Sequence, residues 1–300
     1  MTTTYPSPVD KLLTLGEPDI FSAEWKDYLA LGIGPEQIPD LIRLALDNEL
    51  RYDHLDDDVE DELEGEQELA FWGPLHAIRA LGQLHAEAAI EPLLPLFDIA
   101  DKGDDEWVME DLPAVYGMIG PAALPMLAAF IDDSSHELYA TSYASNAIVA
   151  IGEKHPETRA ECIAAISHAL EKYEENDYEL NGLLISDLLN LKAVEMAPLI
   201  EKAFEADRVD EFVVGDWDDV QVRLGLKEAS ERQRPSSFFD MLSQPLEPAP
   251  RIDTDTEDTG SIPHRNPYLP PASHKKGSNQ TRKSRKKMEK KSRKMNRRKK

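Results

Sequence analysis

A repeated apolar pattern constrains the fold of this chain more than any other feature of its sequence. A glycine follows an apolar residue at Gly82, Gly120 and Gly152, so the spacings are 38 and 32 residues, and apolar runs that contain a proline follow the first two. Related copies surround Gly32 and Leu191. Periods of roughly 30–45 residues built from paired apolar helices are typical of helical solenoids. The pattern therefore predicts an all-α fold, an α-solenoid of helical hairpins, with almost no β-sheet.

Within one copy, the apolar spacing predicts two helices that share a core. Leu75, Ile78 and Leu81 recur every three residues, which places them on one face of a helix. Gly82 is predicted to end this helix, because glycine adopts the left-handed conformation of a helix terminus at little cost. The next helix then turns back over the first. Such a hairpin can bury its apolar face only against neighbouring hairpins.

Residues 80–94 carry a resemblance to a known repeat. They read Ala-Leu-Gly-X-Leu and then Ala-Ala-Ile-X-Pro-Leu-Leu, and this resembles the HEAT-like repeat first described in phycobilisome lyases. The resemblance covers roughly residues 30–228. The whole chain, with its Tyr5-to-Asp10 start and its Lys/Arg-rich end, resembles a group of bacterial HEAT-repeat proteins without an assigned activity. The resemblance implies a solenoid and, by analogy of fold alone, a chromophore-lyase or chaperone-like function.

The charge of the chain is divided between a basic end and an acidic remainder. Residues 275–300 contain 15 Lys or Arg and one acid, a net charge of +14. The other residues contain 18 basic and 57 acidic side chains, a net charge of −39. Composition predicts five segments. They are an N-terminal helical cap (1–50), an acidic loop (51–68), a HEAT-like repeat array (69–228), a Pro-rich linker (229–274) and a disordered basic tail (275–300).

The linker contains one apolar island at residues 238–242, which includes two phenylalanines. One interpretation is a short helix that caps the exposed end of the solenoid. The alternative is a docking motif for another protein.

Motifs of known enzymes and cofactor sites do not occur in the sequence. We find no Gly-rich phosphate loop, His-Glu-X-X-His or Gly-X-Ser-X-Gly pattern. The single cysteine, Cys162, excludes a disulfide framework and a Cys-rich zinc site. Cys162 lies on an apolar helix and is predicted to be buried, although a thiol that carries a chromophore is the alternative by analogy with lyases. We therefore expect a non-enzymatic protein with no cofactor and no bound metal.

Residues 112–131 contain no charged side chain, and this length equals that of a membrane span. Pro113, Gly120 and other glycines and prolines interrupt the stretch, which favours a buried helix–turn–helix. The first ten residues have no basic and apolar leader. We therefore expect no membrane span and a cytoplasmic location.

An aromatic residue recurs beside an acid at about the repeat spacing. We expect these residues to form a ladder of aromatics bordered by carboxylates, where the second helix of each pair begins. One interpretation is that each aromatic packs on the next turn at the start of its helix. The other is a groove that binds a Lys/Arg-rich protein segment, because carboxylates pair with cations and aromatic faces attract them. The predicted edge consists of Glu24, Trp25, Trp72, Glu106, Trp107, Tyr139, Asp177, Tyr178, Asp216 and Trp217.

The basic tail is predicted to bind polyanions without sequence specificity. Its positive charges repel one another and offer little to bury, so it does not fold alone. It contains no aromatic residue that could stack on bases. The residues expected to contact phosphates by counterion release are Arg282, Lys283, Arg285, Lys286, Lys287, Lys290, Lys291, Arg293, Lys294, Arg297 and Arg298.

Together these features predict a scaffold or adaptor. Its acidic surface would hold a basic segment of a partner protein, and its tail would contact RNA, DNA or the ribosome. Besides the lyase or chaperone-like function that the fold analogy implies, two alternatives remain open at this point. The protein could bind proteins only, or the tail could dock on the acidic body of its own chain, since both are present at a high effective concentration.

Overall fold

In the computed structural model, which describes residues 4–18, 25–50, 69–103 and 105–229, every regular element is a helix. The predicted all-α class is therefore confirmed for these residues. The α-helices are α1 (Ile38–Ala45), α2 (Gly73–Gln83), α3 (Ile90–Leu93), α4 (Pro95–Gly103), α5 (Glu106–Ile119), α6 (Leu124–Asp132), α7 (Leu138–Lys154), α8 (Arg159–Leu170), α9 (Tyr178–Asn190), α10 (Ala197–Glu205), α11 (Glu211–Val214) and α12 (Trp217–Arg223). The acidic loop 51–68, residues 230–274 of the linker and the tail 275–300 lie outside the described residues.

The helices follow one another as pairs joined by short 3-10 turns. The pairs are α2 with α3 and α4, α5 with α6, α7 with α8, and α9 with α10. The recurring proline lies in the first turn of the second helix, as Pro125 does in α6 and Pro198 in α10. A proline there loses no hydrogen bond, because the first N–H groups of a helix have no partner within it. This explains why a proline recurs within each apolar run.

The first helix of each pair packs on the first helix of the next pair. Contacts run from α1 to α2, then to α5, α7, α9 and finally α11, while α6 and α8 pack on each other and on α7. One continuous apolar core runs through these helices. The chain therefore buries its apolar faces between successive pairs, as the repeat pattern predicted.

The role predicted for Gly82 was wrong. Gly82 lies inside α2, and the left-handed conformation falls three residues later at His85, whose φ is 48°. A Cβ at residue 82 would lie 3.2 Å from Val115 Cγ2 and 3.3 Å from the backbone of the same residue in α5. The glycine is required because two helices approach closely at this point. Gly117 has the same role, since a Cβ there would lie 2.9 Å from the Cβ of Ala150 in α7.

The uncharged stretch 112–131 forms the predicted helix, turn and second helix. Gly120 ends α5 with a φ of 95°, in the left-handed range that glycine adopts without strain. Pro113 does not interrupt the helix as predicted but lies within α5. Across the described ranges, no single helix is both long enough and apolar enough to cross a membrane, and α5 reaches that length only when joined to the next helix across a bend of 111°.

Buried polar groups connect neighbouring first helices. The Arg79 side chain of α2 donates to both carboxylate oxygens of Asp111 in α5, at 2.5 and 3.2 Å, and both residues are buried. Asp187 of α9 accepts from the Ser145 hydroxyl at 2.6 Å and from the Asn146 amide at 2.9 Å, both in α7. Burial raises the pKa of Asp187 to about 7, and the two hydrogen bonds oppose this shift only in part.

The raised pKa of Asp187 predicts a specific pH dependence of stability. The folded state holds the proton more tightly than the unfolded state, whose aspartate pKa is about 3.9. The free energy of unfolding should therefore decrease as the pH rises from about 4 to about 7 and level off above that range. At about 1.4 kcal/mol per pKa unit, the loss is on the order of 4 kcal/mol.

Asp187→Asn isolates this contribution, because asparagine keeps the shape without the charge. Urea denaturation at several pH values should show the variant gaining stability relative to the wild type as the pH rises from 4 to 7. A difference between the two proteins that stays constant over this range would contradict the account.

Candidate binding surface

The predicted aromatic series lies at the starts of the first helices, and not of the second helices as predicted. Trp72 immediately precedes α2, while Trp107, Tyr139 and Tyr178 lie in the first turns of α5, α7 and α9. Trp217 begins α12. The loops that carry the acids connect one pair to the next, so the helix that follows each loop is the first of its pair. Glu24 lies outside the described residues.

Several of the acids in the series cap these helices. Asp177 accepts from the backbone N–H of Glu179 at 2.8 Å, and Asp216 accepts from that of Asp219 at 2.9 Å. At α5 the cap is Asp105, which accepts from Val108 N–H at 3.1 Å, whereas the predicted residue Glu106 is exposed. A carboxylate in this position satisfies an N–H that the helix leaves without a partner. These two acids of the series therefore stabilise the starts of α9 and α12, a role that the sequence pattern did not predict for them.

The tryptophans pack on neighbouring side chains and do not form an open ladder. Trp72 is buried and meets Trp107 edge-on, with 5.3 Å between ring centroids. Together with Phe71 they line a shallow cleft whose empty volume of about 320 Å³ includes space open to solvent. Trp217 packs on Phe204, with the centroids 5.8 Å apart.

Trp25 is also engaged within the fold. The guanidinium of Arg79 lies 4.9 Å from the centroid of its ring, in the position of a cation–π contact. Since the same guanidinium pairs with Asp111, Trp25 covers a buried ion pair.

The tyrosines of the series differ from the tryptophans, because they are exposed. Tyr139 and Tyr178 each have 47% of their surface accessible. The Tyr139 hydroxyl donates to Glu179 Oε1 at 2.9 Å. Tyr178 lies under the guanidinium of Arg208, which is 4.1 Å from the ring centroid. Tyr139 therefore combines an exposed ring with a carboxylate bound to its hydroxyl.

Around Tyr139 the first helices bring together a group of carboxylates and two tyrosines, which we call the acidic tyrosine surface. Glu106 and Glu110 are exposed on α5, and Asp101 of α4 and Glu179 of α9 are half-buried. The members of the surface are Asp101, Glu106, Glu110, Tyr139, Tyr143 and Glu179.

Neighbouring carboxylates contribute to the raised pKa values of both tyrosines, although burial or a hydrogen bond is the largest cause. Burial raises the pKa of Tyr143, and the carboxylates of Glu110, Glu106 and Asp101 raise it further. The hydrogen bond to Glu179 raises the pKa of Tyr139, with burial and nearby acids adding to the effect. Burial also raises the pKa of Asp101. Each shift disfavours one more negative charge, and a site of this kind favours a bound cation.

The sequence interpretation found part of this surface. Glu106 and Tyr139 were predicted members, and the structure places both of them in it. Glu110 and Tyr143 were missed, although each lies one helical turn after a predicted residue and therefore on the same face. Asp101 and Glu179 come from other helices, and the sequence offered no signal for their proximity.

Other residues weighed for chemistry have structural roles. Cys162 is fully buried, as predicted, and burial raises the pKa of its thiol. His76 is buried between Tyr28 and Gly16, at 2.7 Å from the hydroxyl and 2.8 Å from the carbonyl oxygen. Burial lowers the pKa of His76 to about 4, so its ring is neutral near pH 7. In the part of the chain that the structure describes, no group of three or more His, Cys, Asp or Glu is arranged to hold a metal ion. The eleven tail residues predicted to bind polyanions lie outside that part.

The chain belongs to the family described as protein of unknown function (DUF1186), whose profile matches residues 38–246. The match begins at the first residue of α1 and includes every helix that carries the acidic tyrosine surface. No curated protein matches the chain significantly, and no solved structure does.

The capping role of Asp177 predicts an effect on stability that a purely ligand-binding carboxylate would not have. Asp177→Ala should lower the free energy of unfolding by about 1 kcal/mol, because it leaves the N–H of Glu179 without its acceptor. Asp177→Ser removes the charge but keeps an oxygen at the cap, so it should lose much less. Urea denaturation followed by circular dichroism measures both. If the alanine variant were as stable as the wild type, the capping role would be wrong.

Proposed function

We propose that this protein is a non-enzymatic scaffold or adaptor whose acidic tyrosine surface binds a Lys/Arg-rich segment of a partner protein. The observation that carries the proposal is the convergence of four carboxylates from three helices, α4, α5 and α9, on Tyr139 and Tyr143 of α7. Helices fix the backbone positions of these side chains, so binding a ligand costs little free energy for ordering the backbone.

We further propose that the helix pairs form an α-solenoid of HEAT-like repeats. The packing of each first helix on the next, from α1 to α11, supports this arrangement. In a solenoid the first helices line one continuous surface, and such surfaces commonly bind extended peptides. The acidic tyrosine surface spans α5, α7 and α9 and would therefore follow the direction of a bound segment.

The chemistry of the surface indicates how it would recognise a basic segment. Glu106 and Glu110, one turn apart on α5, can each pair with a lysine or arginine. The exposed face of Tyr139 can accept a guanidinium or ammonium, which is worth about 0.5–1 kcal/mol at an exposed site. The contacts are individually weak and depend on salt, which suits a reversible adaptor.

We also propose that the basic tail, residues 275–300, contacts RNA, DNA or the ribosome in the cytoplasm. Its net charge of +14 is opposite to that of the rest of the chain, so a polyanion bound by the tail would not compete for the acidic tyrosine surface. Binding would result from counterion release.

The proposed site makes a prediction about the affinity of the full-length protein for a short Lys/Arg-rich peptide, which fluorescence anisotropy measures. Glu106→Gln combined with Glu110→Gln should weaken binding roughly 2- to 30-fold at low salt, because each exposed ion pair contributes about 0.2–1 kcal/mol. The difference should decrease as salt is added.

Glu161→Gln combined with Glu201→Gln is the matched control. It removes the same charge from exposed positions on the second helices α8 and α10. The proposal requires this control to bind the peptide nearly as the wild type does. An equal loss of peptide affinity in both double variants would show that only the net charge of the protein matters, and this would overturn the proposed site.

The proposed role of the tail makes a prediction about RNA binding. Deleting residues 275–300 should abolish binding to a homopolymeric RNA together with its salt dependence, whose slope on logarithmic axes is about −0.7 per phosphate neutralised. If the truncated protein bound RNA with an unchanged slope, the tail assignment would be wrong. If the deletion instead tightened binding of the basic peptide, the tail would be docking on the acidic body of its own chain.

A further inference from the structure

The last described helices expose apolar side chains that have no use in the proposed peptide surface. Seven large apolar residues are exposed in the described ranges, and three of them lie between residues 194 and 226. Phe212 of α11 is fully exposed, and Val194 and Leu226 are about half exposed. Phe212 is the most exposed of the seven, so α11 presents a large apolar side chain that nothing in the described ranges covers.

The neighbours of Phe212 show that α11 is firmly seated, so the exposure is not a consequence of a loose helix. Val214 is buried. Val213 packs closely on α9, since a Cβ added at Gly182 of α9 would lie 3.0 Å from the Cβ of Val213. Phe212 is therefore held on the opposite side of a fixed helical turn.

The chain outside the described residues is long enough to return to α11. Leu226 N–H donates to the carbonyl of Gln221 at 2.8 Å and closes the last turn of α12. The Lys227 side chain reaches back to the first turn of α12, where its Nζ donates to Asp218 Oδ1 at 2.7 Å. The apolar island begins at Phe238, nine residues after Ala229. Nine extended residues span about 30 Å, and a seven-residue helix such as α12 is only about 10 Å long. The segment before Phe238 is therefore long enough to pass back along α12 to α11.

The family match is a separate reason to connect the apolar island with the helices. It extends to residue 246, past the end of the described residues and four residues beyond Leu242. The apolar island is thus part of the matched unit, whereas most of the Pro-rich linker and the whole basic tail are not.

We propose that residues 238–242 of this chain dock on the exposed side of α11, with Phe238 and Phe239 covering Phe212. This inference does not depend on the acidic tyrosine surface. The docked segment would close the apolar end of the helices against self-association. It would also fix the point from which the remaining linker and the basic tail leave the helical body.

Photo-crosslinking in the purified full-length protein tests this contact. The residue p-benzoylphenylalanine at position 212 keeps an aromatic side chain and should crosslink within the same chain to a peptide containing residues 238–242. The same group at Leu29, an exposed residue far away in the sequence, should not form this product. The yield should not depend on protein concentration, because the reaction is intramolecular.

A pair of variants completes the design. Phe238→Ser combined with Phe239→Ser should reduce the crosslinked product on the order of tenfold or more, because most of the buried apolar area is lost. Tyr268→Ser, which removes an aromatic residue beyond the family match, should leave it unchanged. Crosslinks to a second copy of the chain, to another segment, or to nothing would each overturn the proposal.

Discussion

Close approach between successive first helices is the constraint on which the rest of this structure depends. Glycines stand where the helices meet, and a Cβ at Gly82 or Gly117 would lie within 3.3 Å of the next helix. Interiors packed at this density tolerate little added volume. Buried polar pairs join successive first helices as well: Arg79–Asp111 lies between α2 and α5, and Ser145–Asp187 lies between α7 and α9. Because these contacts set the register of each helix on the next, they also decide which side chains at the helix starts become neighbours.

The acidic tyrosine surface is a consequence of that register. Glu106 and Glu110 of α5 come close to Tyr143 of α7, and Tyr139 reaches Glu179 of α9, only because the three helices pack side by side. The capping acids serve the fold itself, since they satisfy N–H groups at the helix starts. Two sets of carboxylates thus lie in the same region with different roles. One set holds the helices, and it includes Asp101, which accepts from the Ala140 N–H of α7 at 3.0 Å. The other set, Glu106 and Glu110, is exposed and available to a cationic ligand.

Much of the fold could be predicted from the sequence, because helix formation depends on the spacing of apolar residues within short stretches of the chain. The 32–38-residue spacing and the apolar runs predicted an all-helical chain, and every regular element of the described residues is a helix. The role of Gly82 could not be predicted, since the need for a small residue arises from Val115, which is distant in sequence. The same limit applies to the surface. Glu106 and Tyr139 carried a local signal, whereas Asp101 and Glu179 joined them only through packing. For the tryptophans the sequence left two interpretations open, because the contacts of Trp72 with Trp107 and of Trp217 with Phe204 join residues that are distant in sequence.

The central claim is that a basic segment binds where the carboxylates converge on Tyr139 and Tyr143. A Lys/Arg-rich peptide that carries a photoreactive group, crosslinked to the full-length protein and located by mass spectrometry, tests it most directly. The account predicts crosslinks concentrated in the first turns of α5 and α7, at residues 105–110 and 138–143, that disappear at high salt. Crosslinks confined to the second helices, or spread evenly over all acidic segments, would contradict it.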